Sequence, residues 1–452
     1  MTPGIGRGRP RPAAPPLPYR AALEAIAARG RFGIRLGLGR TRALLRELGN
    51  PERTVRGALV AGTNGKGSVL ALAAAALESA GYRVGTTPKP HLVTYRERLQ
   101  IDGRPVDPVT FARLVSEVLP VADRVARRLG EPTEFELLTA IVFRWFAEEQ
   151  PDVALVEVGL GGRLDATHAW DGGVAVVTNV ALDHTDRLGT TVEAIAREKA
   201  AIIERGDIAV TGATGEALAI VRRRARRLSV PLAEIDAAPL LGWDRDGIEV
   251  ELPGLGRTRV GLRGRHQAAN VAVADAMLDA LAVAGIATAP PEARRTGYAH
   301  ARWPGRLELV EHQGREILLD GAHNPAGAAA LAAALDDLRP HLEPGSLVVV
   351  TAAMADKDVD GLIGGLAGAA ALAGARIVCT AVDAPRAMPP DELAARWRAL
   401  APGVEVVAAA DPDAALGLAF AAPGGPIVVA GSLYLVGALR AGLVDDPALR
   451  DP

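Results

Sequence analysis

The chain has 452 residues, is 49% hydrophobic and 23% charged, and carries a formal net charge of −2 at pH 7. It is too long for one compact core and too apolar for disorder, so two domains are expected. The near-neutral balance gives no basic field for a nucleic-acid backbone, and no run of about 18 apolar residues escapes charges or Gly/Pro punctuation, so neither nucleic acid nor membrane is an expected partner.

Residues 1–18, MTPGIGRGRPRPAAPPLP, alternate Pro, Gly and Arg without an apolar centre. They read as a flexible extension and not a signal peptide, and a cytoplasmic location follows. RGALVAG (56–62) has the pattern of a buried strand, and a glycine-rich turn and the alanine-rich helical run SVLALAAAALESAGY follow it. TEFELLTAIVFRWFAEEQ (133–150) and TVEAIAREKAAII (191–203) read as helices, VALVEVG (153–159) and GVAVVTNV (173–180) as strands. Strands that are apolar throughout and alternate with helices imply a parallel sheet covered on both faces. After helix-like HQAANVAVADAMLDALAVAG and the Pro/Arg-rich APPEARRTGYAHARWPGR, a second α/β series runs from REILLDG to PIVVAGS. The expectation is an α/β protein: a P-loop-type domain over 19–300 with a mainly parallel sheet, a linker at 301–306, and a Rossmann-like α/β domain over 307–452. The single cysteine, Cys379 in RIVCT, reads as a core strand residue.

Gly62-Thr63-Asn64-Gly65-Lys66-Gly67-Ser68 lies between a strand and a helix. Glycines let backbone amides approach phosphate oxygens, the helix N-terminus adds a positive field, Lys66 can span two phosphates, and Ser68 can reach phosphate or metal. The pattern G-x-x-x-x-G-K-[ST] does not fit, because Gly67 separates Lys66 from Ser68. Only four of the 51 basic residues are lysines, Lys66, Lys89, Lys199 and Lys357. In so arginine-rich a chain, a retained lysine suggests work a guanidinium cannot do, as a compact charge or a reactive amine.

The loop string resembles the ATP loop of the Mur ligase superfamily, which includes the folylpolyglutamate and dihydrofolate synthases. Further runs resemble the folate branch: Leu36-Gly37-Leu38, Glu157 through Thr167, Leu182-Asp183-His184-Thr185-Asp186, Arg197-Glu198-Lys199-Ala200, Gly264-Arg265-His266-Gln267 before Asn270, Trp303-Pro304-Gly305-Arg306, Asp320-Gly321-Ala322-His323-Asn324-Pro325, Asp356-Lys357-Asp358 and Gly431-Ser432-Leu433-Tyr434. The resemblance implies an ATP-binding domain followed by a glutamate-binding ligase domain, and a monomer. It implies an ATP-dependent ligase that activates a carboxylate as an acyl phosphate and adds L-glutamate to dihydropteroate or a reduced folate. The chemistry agrees: an amide made from a carboxylate needs a leaving group, and the gathering phosphate charge needs cations.

By the same resemblance Glu157, His184 and Lys199 hold Mg2+, with Lys199 carbamylated, a modification that needs a deprotonated amine. Asn270 contacts adenine, Arg306 the γ-phosphate, and Asp320 the ribose or a phosphate. Lys66, Lys199 and His323 are the expected catalytic groups. Thr133, Glu134, Phe135 and Glu136, with Leu164, Asp165 and Ala166, are expected at the acceptor. Two positions depart from the family: Lys89 stands where a magnesium-binding serine is usual, and His168 where asparagine is usual. Two other readings are a Mur-like ligase acting on a non-folate carboxylate and an ATP-binding protein without ligation. Retention of Lys66, Glu157, His184, Lys199, Arg306 and Asp320 together argues against the second.

Overall fold

The structure, a computed structural model, describes residues 15–33 and 35–452. Residues 1–14 of the expected extension lie outside the described residues. An eight-stranded sheet is formed by β1 (Gly57–Ala61), β2 (Val84–Thr87), β3 (Gln100–Ile101), β4 (Arg104–Pro105), β5 (Val153–Glu157), β6 (Gly173–Val177), β7 (Ile208–Thr211) and β8 (Leu232–Glu234), in the order β4-β3-β2-β5-β1-β6-β7-β8. Only the β2–β3 and β3–β4 pairings are antiparallel.

Every residue of β1 and β5 is buried. The period-two alternation of a strand sends Ala58 and Val60 into one core and Leu59 and Ala61 into the other. The first core packs under the helices Lys66–Ser79 and Gln267–Val283, the second under Pro108–Leu129 and Glu134–Glu149. Two coverings explain why no polar face shows in the sequence of these strands.

Two features differ from the sequence reading. A three-stranded antiparallel sheet, β9 (Leu240–Asp244), β10 (Gly247–Leu252) and β11 (Gly256–Val260), packs Ile248, Val250 and Leu252 into the first core. The Pro/Arg-rich stretch contains the helix Pro291–His300, since proline is tolerated in a first helical turn. That helix lies very close to Lys66–Ser79: a Cβ on Gly297 would come within 2.4 Å of the Ala76 nitrogen.

The third sheet comprises β12 (Glu308–His312), β13 (Arg315–Leu319), β14 (Val348–Thr351), β15 (Arg376–Cys379), β16 (Glu405–Ala408) and β17 (Ile427–Ala430), ordered β12-β13-β17-β14-β15-β16. All its pairings are parallel except β12–β13. Its two faces have separate apolar cores, and Cys379 is buried in one of them. Among the described residues no helix is long and apolar enough to cross a membrane. The polar residues singled out in the sequence gather where β1, β5 and β6 end and the third sheet faces them, the usual ligand position in open α/β folds.

Candidate active site

The chain leaves β1 at Ala61 and turns through Gly62–Gly65 into the helix Lys66–Ser79. Gly65 has φ +81°, and a Cβ there would lie 2.3 Å from Asn270 Oδ1; one on Gly67 would lie 2.6 Å from the Trp303 ring. Asn270 and Trp303 therefore press on the loop, and only glycine leaves them room. The Asn64 amide donates to Asn179 Oδ1 at 2.9 Å and the Thr63 amide to the Asn179 carbonyl at 3.0 Å, which fixes the turn. Ser68 is buried, and its hydroxyl is 3.5 Å from Gln267 Nε2, whose own carbonyl accepts from Asn270 Nδ2 at 2.8 Å.

Lys66 Nζ donates to the Gly62 and Thr63 carbonyls at 3.1 and 3.0 Å, and Lys199 Nζ donates to the same Gly62 carbonyl at 2.8 Å. Two ammonium groups on one oxygen repel. Burial, and then the charge of Lys66, lower the Lys199 pKa to about 7, and burial lowers the Lys66 pKa as well. Glu157, at the end of β5, is buried with Oε1 4.0 Å from Lys66 Nζ. Burial raises its pKa despite the neighbouring lysines, so the carboxylate is short of positive charge.

Lys89 turns inward, onto Glu157. Its backbone amide donates to Glu157 Oε2 at 2.9 Å, its Nζ donates to the Glu157 carbonyl at 2.8 Å, and its ammonium stands 4.6 Å from the centre of the Phe135 ring. Burial lowers its pKa to about 8.

His184 lies beyond the end of β6 and caps the short helix Thr185–Leu188 with φ +51°. Its Nε2 is 3.4 Å from Lys357 Nζ and 3.9 Å from Asp183 Oδ1, and burial holds its pKa below the ordinary histidine value. Among the described residues no group of three or more His, Cys, Asp or Glu side chains forms a ready metal cluster. The expected ligands are one carboxylate, one imidazole and one amine.

The third sheet supplies the opposite wall. Asn324 Nδ2 donates to Asn64 Oδ1 at 3.2 Å and to Asp183 Oδ2 at 3.0 Å, while Lys357 Nζ donates to Asp183 Oδ1 at 2.8 Å. Burial would raise the Asp183 pKa, but the hydrogen bond and charge of Lys357 oppose it, and the carboxyl is held below its ordinary value. Asp320 accepts the Leu307 amide at 2.9 Å through Oδ2 and the Ala322 amide at 2.9 Å through Oδ1, so both oxygens order the turn after β13. His323 Nδ1 is 2.8 Å from the Gly321 carbonyl, and burial lowers its pKa to about 4. Arg306 donates to the Gly305 carbonyl at 3.0 Å, and its charge acts on Lys66, Glu157 and His323.

The expected acceptor residues divide. Thr133 and Glu136 form a capping box at the start of Glu134–Glu149, with Glu136 Oε2 also 2.9 Å from Arg40 Nε. Asp165 Oδ1 accepts from the Thr167 amide and hydroxyl at 3.0 and 2.6 Å, and Oδ2 from the Leu160 amide at 2.8 Å. The Leu164 carbonyl accepts the Gly37 amide at 3.2 Å, and Ala166 is buried at the start of the short turn Ala166–Ala169. Phe135, under Lys89, and Glu134, whose charge acts on Tyr95, face the loop 89–98. His168 Nε2 lies 3.2 Å from Glu204 Oε1. Asn179, Asp183 and Asn324 carry no assignment from the sequence reading, because amide and carboxylate links between loops have no spacing signature.

Comparison with known proteins agrees with this arrangement. Residues 60–278 match the Mur ligase middle domain and residues 305–433 the Mur ligase glutamate ligase domain. A Bacillus subtilis dihydrofolate synthase/folylpolyglutamate synthase is 36% identical over 355 residues, covering 76% of this chain and 82% of the relative. The chain belongs to the folylpolyglutamate and dihydrofolate synthase family. The Mycobacterium tuberculosis member of that family is 35% identical, with 91% of this chain and 90% of the relative aligned. A crystal structure of Mycobacterium tuberculosis folylpolyglutamate synthase complexed with ADP and AMPPCP superposes with a TM-score of 0.84 at 31% identity, over 95% of this chain and 100% of that one. The E. coli FolC structure in complex with DHPP and ADP gives 0.80 at 28% identity, over 95% and 98%. As a member of the family, the chain is an ATP-dependent ligase acting on small molecules.

Proposed function

We propose that this ligase adds L-glutamate to dihydropteroate, to a reduced folate monoglutamate or polyglutamate, or to both, through an acyl phosphate, with release of ADP and phosphate. The observation that carries the reading is the meeting of Lys66 and Lys199 on the Gly62 carbonyl beside Glu157. Two lysines so placed repel until one is altered. Carbamylation of Lys199 by carbon dioxide forms an N–C bond, loses the amine proton and turns the repulsion into an attraction for Lys66. It requires a neutral amine, which the lowered pKa of Lys199 supplies.

Mg2+ fits the residues present, since Glu157 is a buried carboxylate short of positive charge and His184 is held neutral. Glu157, His184 and carbamylated Lys199 would hold it, and bound there it would neutralise phosphate charge. Nucleotide phosphates lie over the loop Gly62–Ser68, where Thr63, Asn64, Gly65 and Gly67 shape the turn and Lys66 leaves the carbonyls for the β- and γ-phosphates. Asn270 and Asp320 bound the base and ribose end, and Arg306 offers its guanidinium to the γ-phosphate.

An acceptor carboxylate oxygen attacks the γ-phosphorus, the bond to ADP breaks, and the glutamate amine then displaces phosphate from the acyl carbon. Phe135 gives the acceptor's aromatic portion a face, with Glu134, Leu164, Asp165 and Ala166 shaping the neighbouring turns. Thr133 and Glu136 act through the helix cap. With Nδ1 on the Gly321 carbonyl, His323 keeps Nε2 as an acceptor for a hydrogen bond from the incoming amine. The 19–300 segment binds ATP and acceptor, residues 307–452 bind glutamate, and 301–306 link the two. From the family resemblance we infer a monomer in the cytoplasm.

Mass analysis of products after incubation with ATP, Mg2+ and glutamate tests the reading. A product one glutamyl residue heavier than dihydropteroate or the folate monoglutamate supports it. Absence of both products refutes it.

A further inference from the structure

The segment 89–98 lies between the phosphate loop and the third sheet. At its front Lys89 holds Glu157 and covers Phe135. Behind that, Arg98 Nε donates to His91 Nδ1 at 2.9 Å, the His91 and Tyr95 rings are 4.3 Å apart, and the Glu97 carboxylate accepts the amides of Leu92, Val93 and Thr94 at 3.0, 2.7 and 2.7 Å. The segment is therefore one ordered unit. What fixes its back comes from the far end of the sequence.

Asp451 Oδ1 accepts from Tyr19 Oη at 2.6 Å, Thr94 Oγ1 at 2.8 Å and Arg96 Nε at 3.1 Å, and Arg96 also donates to the Arg450 carbonyl at 3.0 Å. Tyr19, Thr94 and Arg96 are all buried, and among the described residues Asp451 is the only carboxylate paired with the Arg96 guanidinium. The helix Leu433–Leu443, which precedes this tail, meets the other side of the loop. Leu92 packs into a core of the third sheet, and a Cβ on Gly437 would come within 1.9 Å of the Leu92 carbonyl. Arg440 of the same helix forks onto Glu308 at 2.8 and 2.9 Å, and Glu308 in turn accepts the Gly305 amide at 2.8 Å, next to Arg306.

We propose that Asp451 is a positioning residue for the acceptor, acting by fixing the loop 89–98 so that Lys89 and Phe135 stand ready where the substrate carboxylate and aromatic ring arrive. The tail and the helix Leu433–Leu443 then set the acceptor loop and Arg306 from one rigid support. This rests on the acceptor site proposed above.

Two readouts on the full chain test it. In Asp451→Asn, hydrogen exchange of amides 89–98 quickens while that of 62–68 does not change. The acceptor KM rises about tenfold, as expected for losing a charge-assisted anchor, with the ATP KM within about twofold and Asp451→Glu restoring most of the loss. Tyr19→Phe, which removes one donor, shifts both readouts the same way by less. Unchanged loop exchange, a loosened loop with an unchanged acceptor KM, or an equal rise in the ATP KM overturns the proposal. If the parent enzyme turns over neither acceptor, the functional reading fails, and the exchange data still decide whether Asp451 orders the loop.

Discussion

Lys357 Nζ lies 2.8 Å from Asp183 Oδ1, joining the loop after β14 to the loop after β6 across the cleft. Asn324 shares the same carboxylate at 3.0 Å, so one ionised aspartate holds two residues of the third-sheet unit over the phosphate loop. Asp183→Asn leaves the Lys357 ammonium without its anion. The expected result is a fall in kcat of about tenfold to a hundredfold with a smaller change in nucleotide binding, since the residues that touch nucleotide remain. Steady-state kinetics with an ADP titration check it, and a loss confined to ADP affinity would contradict it.

Lys199 gives a pH prediction with a definite sign. Its folded pKa is near 7 against an ordinary value of 10.5, so between those values the unfolded chain binds the extra proton. Stability contributed at this site therefore rises as pH climbs from about 7 towards 10. Thermal melts taken from pH 7 to 9 should show the parent gaining stability relative to Lys199→Met as pH rises. Activity should fall by at least about a hundredfold in Lys199→Arg, and added bicarbonate should raise the rate of the parent only.

Lys89 brings a fixed positive charge to the Glu157 end of β5. With Lys89→Ser the enzyme should need more Mg2+ for half-maximal rate, because a mobile cation must replace a tethered one. A magnesium titration that superposes on the parent's would remove this account of the lysine.

The capping box separates two roles that adjoin in the sequence. Thr133→Ala should cost about 1 kcal/mol of stability with the acceptor KM nearly unchanged. Phe135→Ala should raise the acceptor KM about tenfold or more by removing the aromatic face. Denaturant melts and acceptor titrations of both variants decide between cap and contact.

How far the sequence carried the structure follows from where each signal resides. β1, β5 and β6 were readable because uninterrupted apolar runs such as VALV at 153–156 have one explanation, burial on both faces. The phosphate loop was readable because Gly65 and Gly67 are demanded by close neighbours. The hairpins β9–β11 were missed because their strands are short and lie in a charged stretch, although GIEVEL alternates as a half-buried strand does. In the site, Lys66, Glu157 and Lys199 meet, whereas Thr133 and Asp165 spend their polar atoms on local turns and Glu136 caps its helix and pairs with Arg40. Bonds such as Asp183 to Lys357, 174 positions apart, leave no pattern in the sequence.

The measurement that tests the central claim most directly follows oxygen-18 from the labelled carboxylate of the acceptor during turnover with ATP, Mg2+ and glutamate. An acyl phosphate predicts one labelled oxygen in each phosphate released, dependent on glutamate. Unlabelled phosphate, or phosphate released at the same rate without acceptor, would contradict carboxylate activation by this enzyme.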